Sequence, residues 1–169
     1  YNFAPEGGYR VNHLDLFRGL GQEWKGCVEA RPAPYNLNDA SPDPLVPDTL
    51  FVPYFAPDEP GAAKTSGNAG DKFNNSYLDE TVSGTQTEQQ RSTAKYNTTT
   101  PRKISNAAPL TTGPNYACPT PIHPLTEDLA ALKVDIGKMV YWNGSGTNVA
   151  EGLAWGMRVL SPEEPYTGG

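Results

Sequence analysis

The sequence predicts a mixed α/β unit interrupted by a long coil-rich insertion. Three observations point there. Two segments between residues 122 and 162 repeat apolar side chains at helical spacing, and two short runs at 24–30 and 49–55 are rich in β-formers. The 17 glycines and 17 prolines make about one residue in five of the 169 a backbone punctuator, and they concentrate between residues 32 and 121. Val, Ile, Leu and Phe supply only about 18% of the chain, under the ~20% below which strongly charged chains fail to fold. A net charge of −6 is too small to imply wholesale disorder. Nine Tyr and three Trp add buried area that the aliphatics lack. A single domain or domain fragment over 1–169 with a modest core is expected, and a coiled coil or helical bundle is excluded.

Taken in order, Leu14, Leu16, Phe17 and Leu20 form a short helical face that Gly19 and Gly21 limit to about two turns. Trp24 to Ala30 then reads as a short strand ended by Arg31-Pro32-Ala33-Pro34. Residues 32–60 hold eight prolines, each lacking an N–H donor and fixing φ, so helix is not expected there. Within this stretch, Thr49-Leu50-Phe51-Val52-Pro53-Tyr54-Phe55 reads as an edge strand or one bent at Pro53. Residues 61–105 are the least core-like part, with Leu78, Val82 and Ile104 as their branched aliphatics and Arg91, Lys95, Arg102 and Lys103 making the far end basic. Residues 32–121 as a whole read as a Pro/Gly/Asn/Thr-rich insertion, and 122–162 as a helix pair. The first helix starts near Thr126, a candidate cap with Glu127 and Asp128 behind it, and carries Leu129, Leu132, Ile136, Met139 and Val140 on one face. The second runs from about Asn148 to Leu160 with Val149, Leu153, Met157 and Leu160 as its stripe, ended by Ser161-Pro162.

Chemistry is sparse. His13 and His123 are the two histidines, without cysteine or carboxylate clusters at zinc-ligand spacing, and no Gly-x-Ser-x-Gly elbow is present. The pairs Asp58-Glu59, Asp79-Glu80 and Glu163-Glu164 are adjacent in sequence and read as solvated loop acids rather than an acid/base couple facing across a cleft. A pI of about 4.8 argues against nucleic-acid partners. No stretch approaches the ~20 apolar residues of a membrane span, and the two ends read as cuts within a longer protein. Cys27 and Cys118 are either two buried thiols or one disulfide. In an exported, coil-rich chain such a bridge would stabilise by roughly 4–5 kcal/mol. Gly144-Ser145-Gly146-Thr147-Asn148 joins the two helices. There the Thr147 hydroxyl either caps the second helix or points outward to an ion.

The blocks Trp24-Lys25-Gly26-Cys27-Val28-Glu29-Ala30-Arg31-Pro32 and Phe51-Val52-Pro53-Tyr54-Phe55-Ala56-Pro57-Asp58-Glu59 come first. Gly113-Pro114-Asn115 with Cys118, Pro124-Leu125-Thr126, and Gly146-Thr147-Asn148 through Trp155 to Leu160-Ser161-Pro162 follow in order. Together they resemble the central region of bacterial TadG-type proteins, associated with assembly of adhesive Flp/Tad pili. The resemblance runs from about Trp24 to Gly169 and is loosest over 61–105. It implies an incomplete von Willebrand factor A-like, Rossmann-like α/β unit with a long coil-rich insertion, facing the periplasm or the cell exterior, with its membrane anchor outside this chain. In such domains a threonine from a turn before a helix joins an Asp-x-Ser-x-Ser loop and a later Asp to hold a divalent cation. Thr147 matches the threonine. Asp39-Ala40-Ser41-Pro42-Asp43 and Asp79-Glu80-Thr81-Val82-Ser83 imitate the loop, yet neither follows a buried apolar strand. The resemblance places the true loop upstream of Tyr1 and the later Asp beyond Gly169. It therefore implies Mg²⁺ for the intact parent domain and no complete ion site in this chain.

The functional expectation is a non-enzymatic cell-envelope module that binds protein partners such as pilus components, closed by Cys27–Cys118. A structural subunit of an extracellular filament and an envelope-glycan hydrolase or glycan-binding module are the alternatives.

Overall fold

In the computed structural model, the described residues are 11–59, 75–78, 84–97, 103–107, 110–140 and 148–166. They form four α-helices: α1 (His13–Gly19), α2 (Gln86–Arg91), α3 (Leu129–Gly137) and α4 (Val149–Leu160). Single 3₁₀ turns lie at Tyr35–Leu37, Pro47–Thr49 and Ala94–Tyr96. Neither β-rich run extends into a strand: β-pairing among the described residues amounts to isolated bridges such as Asp43 with Val46. The chain divides into two units, one of residues 1–27 and 53–119, the other of 28–52 and 120–169.

The first unit is built on α1. Asn12 caps it, its side-chain oxygen accepting the Leu14 N–H at 3.0 Å, and the helix gives the two turns that its apolar spacing predicts. Leu16, Phe17 and Leu20 face inward onto Phe55, Tyr77, Leu78 and Tyr96. The rings of Phe17 and Phe55 meet edge to face at 5.1 Å, and those of Phe55 and Tyr96 at 5.0 Å. Such pairs add about 0.5–1.5 kcal/mol each beyond area burial. The helix approaches the Ala94–Tyr96 turn so closely that a Cβ on Gly19 would collide with the Tyr96 carbonyl oxygen.

This core corrects the reading of 61–105 as the part least suited to burial, because Tyr77, Leu78 and Tyr96 are among its most deeply buried members. Aromatics do here what aliphatics do in most cores. Among the described residues asparagine side chains bond backbone groups that a sheet ladder would otherwise pair. Asn75 donates from Nδ2 to the carbonyls of Pro57 and Gly113, both at 3.0 Å, and its Oδ1 accepts the Gly113 N–H at 2.7 Å. Asn115 likewise donates to Glu23 O at 2.9 Å and accepts from Lys25 N–H at 3.1 Å. In this way buried backbone groups outside helix and sheet are satisfied.

Tyr77 gives the unit a pH response. Burial, and after it the neighbouring Tyr96 and Asp58, push its hydroxyl well above the ordinary 10.0. The folded state holds this proton more tightly than the unfolded one. The associated stability is therefore fully present below the unfolded value and is lost as pH rises above it. The urea midpoint of the first unit is expected to drop as pH passes about 10, and to drop less steeply in Tyr77→Phe. Identical pH slopes in the two proteins would contradict this.

The second unit contains α3 and α4. Helix α4 spans the residues predicted for it. Asn148 is its cap, accepting the Glu151 N–H at 3.2 Å, and the helix stops at Ser161. Helix α3 begins later than predicted, because Asp128 and not Thr126 caps it, accepting the Ala131 N–H at 2.9 Å. Thr126 instead accepts the Asp128 N–H at 3.1 Å, one residue pair before the helix. At the far end Lys138, with His123 behind it, holds the Asp135 carboxyl below its ordinary value.

Candidate functional site

The feature of the second unit with most bearing on function is the direction in which α4 faces. A 3.6-residue period puts Val149, Leu153, Gly156 and Leu160 on one side and Glu151, Ala154, Trp155 and Arg158 on the other. The stripe predicted to face the core, Val149, Leu153, Met157 and Leu160, belongs to the first side and its margin. In the structure the second side is covered: Ala154 and Arg158 are buried, whereas Val149, Leu153 and Leu160 are 76%, 76% and 67% exposed. Gly152 and Gly156 look onto open space, with no atom within 4 Å of where a Cβ would stand. Helix α3 behaves in the same way. Leu129, Val134 and Ile136 on it, and Met139 and Val140 just beyond its end, are all exposed, and no residue of α3 is buried. One unit thus presents the apolar face of α4 to solvent together with exposed apolar side chains along α3. That exceeds the scattered single leucines of an ordinary surface.

What holds α4 this way round is Arg158. Its side chain is 1% exposed, and it donates to three backbone carbonyls: Tyr35 at 3.2 Å, Asn36 at 2.7 Å and Asn38 at 3.1 Å. Glu151 lies two turns earlier on the helix, with Oε1 3.5 Å from Nη1. The guanidinium lies 4.8 Å from the Trp155 ring centre and 5.7 Å from that of Phe51. Arg31 works beside it, donating to Asn38 O at 2.8 Å, Ala40 O at 2.6 Å and Thr49 O at 3.1 Å, with Phe51 4.6 Å away. Burial and the Arg158 charge lower the Arg31 pKa, which Glu151 and Asp39 partly offset. Neither arginine was singled out in the sequence. A signal for them existed in the eight prolines of 32–60: a Pro-rich loop carries carbonyls in excess of N–H groups, and arginine offers five donors and no acceptor.

Of the residues singled out from sequence, Cys27 and Cys118 are joined, with S–S 2.02 Å and Cα atoms 5.8 Å apart. Thr147 lies outside the described residues, and the capping role open to it is taken by Asn148. The loop Asp79–Ser83 is likewise outside them. In the other imitation of the ion loop, Asp39 accepts from the Ser161 hydroxyl at 3.0 Å and Ser41 donates to Glu163 at 2.8 Å. His13 is buried and donates to Pro53 O at 2.7 Å, while His123 pairs with Asp135 at 3.1 Å. Among the described residues no three of His, Cys, Asp and Glu cluster as metal ligands would. One acid was misjudged: Asp58 is no solvated loop acid but is fully buried against Lys95.

No protein family, curated protein or solved structure matches the chain. Among the described residues no helix is long and apolar enough to cross a membrane. The disulfide is in keeping with an oxidising compartment, extracellular or periplasmic.

Proposed function

We propose that this chain is a non-enzymatic cell-envelope module that binds protein partners, acting in adhesive Flp/Tad pilus assembly or cell adhesion. The observation that carries the reading is the uncovered apolar surface of α3 and α4. Apolar faces of this kind are covered in a working protein, and a protein partner offers the aliphatic side chains that match Val149, Leu153 and Leu160. Gly152 and Gly156 let a partner come close to the α4 backbone. The disulfide supports the periplasm or cell exterior as the setting. The ordered resemblance from Trp24 to Pro162 supports the pilus assignment.

Photo-crosslinkers placed at Leu129 and Leu153 in pilus-forming cells test the reading. The expected adduct is a second envelope protein, and Leu153→Lys should weaken its capture by about tenfold or more, the loss typical of a hot-spot residue. Adducts containing only a second copy of this chain would replace the reading with that of a filament subunit. Absence of any adduct from both positions would discard it.

A further inference from the structure

We propose that Lys95 and Asp58 condense into an intramolecular isopeptide bond inside the first unit. Lys95 Nζ stands 2.9 Å from Asp58 Oδ2 and 2.7 Å from the Asp58 carbonyl oxygen, with side chains 1% and 0% exposed. Taking an ammonium and a carboxylate so completely out of water carries a large desolvation cost, which an uncharged amide would not. The walls are aromatic: the Tyr96 ring centre lies 5.6 Å from Nζ, and Tyr77 is buried alongside.

Geometry at the carboxyl group separates this pair from an ordinary ion pair. Asp58 Oδ1 accepts two backbone N–H groups, from Tyr77 at 2.6 Å and Leu78 at 2.7 Å. Two amide donors converging on one oxygen form the arrangement that stabilises a tetrahedral oxyanion. Oδ2, the other oxygen, faces the amine. The Asp58 backbone is fixed in turn, its N–H donating to the Tyr96 hydroxyl at 2.9 Å. The amine, the carboxyl group and the oxyanion donors are therefore brought together in one buried site.

The step balances without a co-reactant. One proton passes from the Lys95 ammonium to Oδ2 across the 2.9 Å contact, leaving a neutral amine and a carboxylic acid. The nitrogen lone pair attacks Cγ, the C–N bond forms, and negative charge gathers on Oδ1 beneath the Tyr77 and Leu78 N–H groups. The nitrogen then gives a proton to Oδ2, the Cγ–Oδ2 bond breaks, and one water leaves. The product is a secondary amide, and a water-excluded site disfavours its hydrolysis. The bond would tie the 53–59 segment to the Ala94–Tyr96 turn, a second covalent tie beside Cys27–Cys118.

Intact-mass spectrometry of the full chain, denatured and reduced after purification in its disulfide-bonded form, decides the matter. The expected mass is one water below that of the sequence, with a branched tryptic peptide containing both Asp58 and Lys95 and no cleavage after Lys95. Lys95→Met should restore the unmodified mass, which separates the cross-link from dehydration at aspartate alone. Asp58→Asn should reach the same final mass as the wild type, because ammonia leaves in place of water. A wild-type chain at full sequence mass, cleaved normally after Lys95, would overturn the proposal. That readout needs no variant to fold.

Discussion

Removing the Cys27–Cys118 bridge is expected to destabilise the first unit by roughly 4–5 kcal/mol, the chain-entropy value for a closed loop of this length. The two cysteines are 91 residues apart in sequence, and the loop between them includes most of the residues that form the aromatic core. Whole domains are stable by only about 5–15 kcal/mol, so the loss takes a large share of what holds this unit together. The bridge also sits in a hydrogen-bond network that depends on its geometry. The Cys27 carbonyl accepts from the Trp24 indole at 2.6 Å and from the Tyr54 N–H at 2.8 Å, and the Cys118 N–H donates to Asn115 O at 3.0 Å. Urea unfolding of the Cys27→Ala, Cys118→Ala double variant checks the prediction through a lowered midpoint. Thiol titration of the unfolded, unreduced wild type should find no free thiol. Two reactive thiols, or an unchanged midpoint in the variant, would contradict it.

In the second unit the largest single loss should come from Arg158→Ala, at about 3–5 kcal/mol, the range for breaking a buried charged network. Three carbonyls, those of Tyr35, Asn36 and Asn38, lose their donor in a part-buried loop, and an orphaned buried group costs about 1–3 kcal/mol. The contact of the guanidinium with Trp155 goes with them. Arg158→Lys should recover little, because a single ammonium cannot reach carbonyls spread over four residues as a planar fork does. Hydrogen exchange of a peptide covering residues 35–49 is the appropriate measurement, since it reports the loop directly. Unaltered protection there, together with an unaltered thermal midpoint, would show that the arginine is dispensable.

Helices α1, α3 and α4 could be read from the sequence because their signals are local, whereas α2, inside the stretch read as coil, was missed despite its Thr85–Glu88 capping box. Gly19 and Gly21 interrupt and Ser161-Pro162 terminates, while the caps that the structure uses, Asn12 and Asn148, were not picked out. Helix α3 starts later than expected because Thr126 and Asp128 can both cap, and the residue spacing alone does not choose between them. The faces were misread for a different reason. Periodicity reports which side of a helix is apolar; it says nothing of what lies against that side, and on α4 the apolar side is the outer one. Asp58 was hidden for a related cause. An acid beside Glu59 in a Pro-rich loop resembles any solvated acid until the fold brings Lys95, which lies 37 residues away, onto it. The β-rich run at 49–55 likewise carried strand propensity, but its pairing stops at single hydrogen bonds such as Glu29 N–H to Val52 O at 2.8 Å, since Pro53 has no N–H to continue a ladder.

The arginine-held loop has a consequence for how this protein can vary. Arg31 and Arg158 grip carbonyl oxygens, a group that every amino acid carries. The bonds to residues 35, 36, 38, 40 and 49 therefore place no demand on which side chains stand there. Selection for these carbonyl contacts falls on two guanidinium groups and the rings beneath them, with Thr49 and Asn38 adding side-chain bonds of their own. The loop they organise is left free to change its surface chemistry without losing its shape.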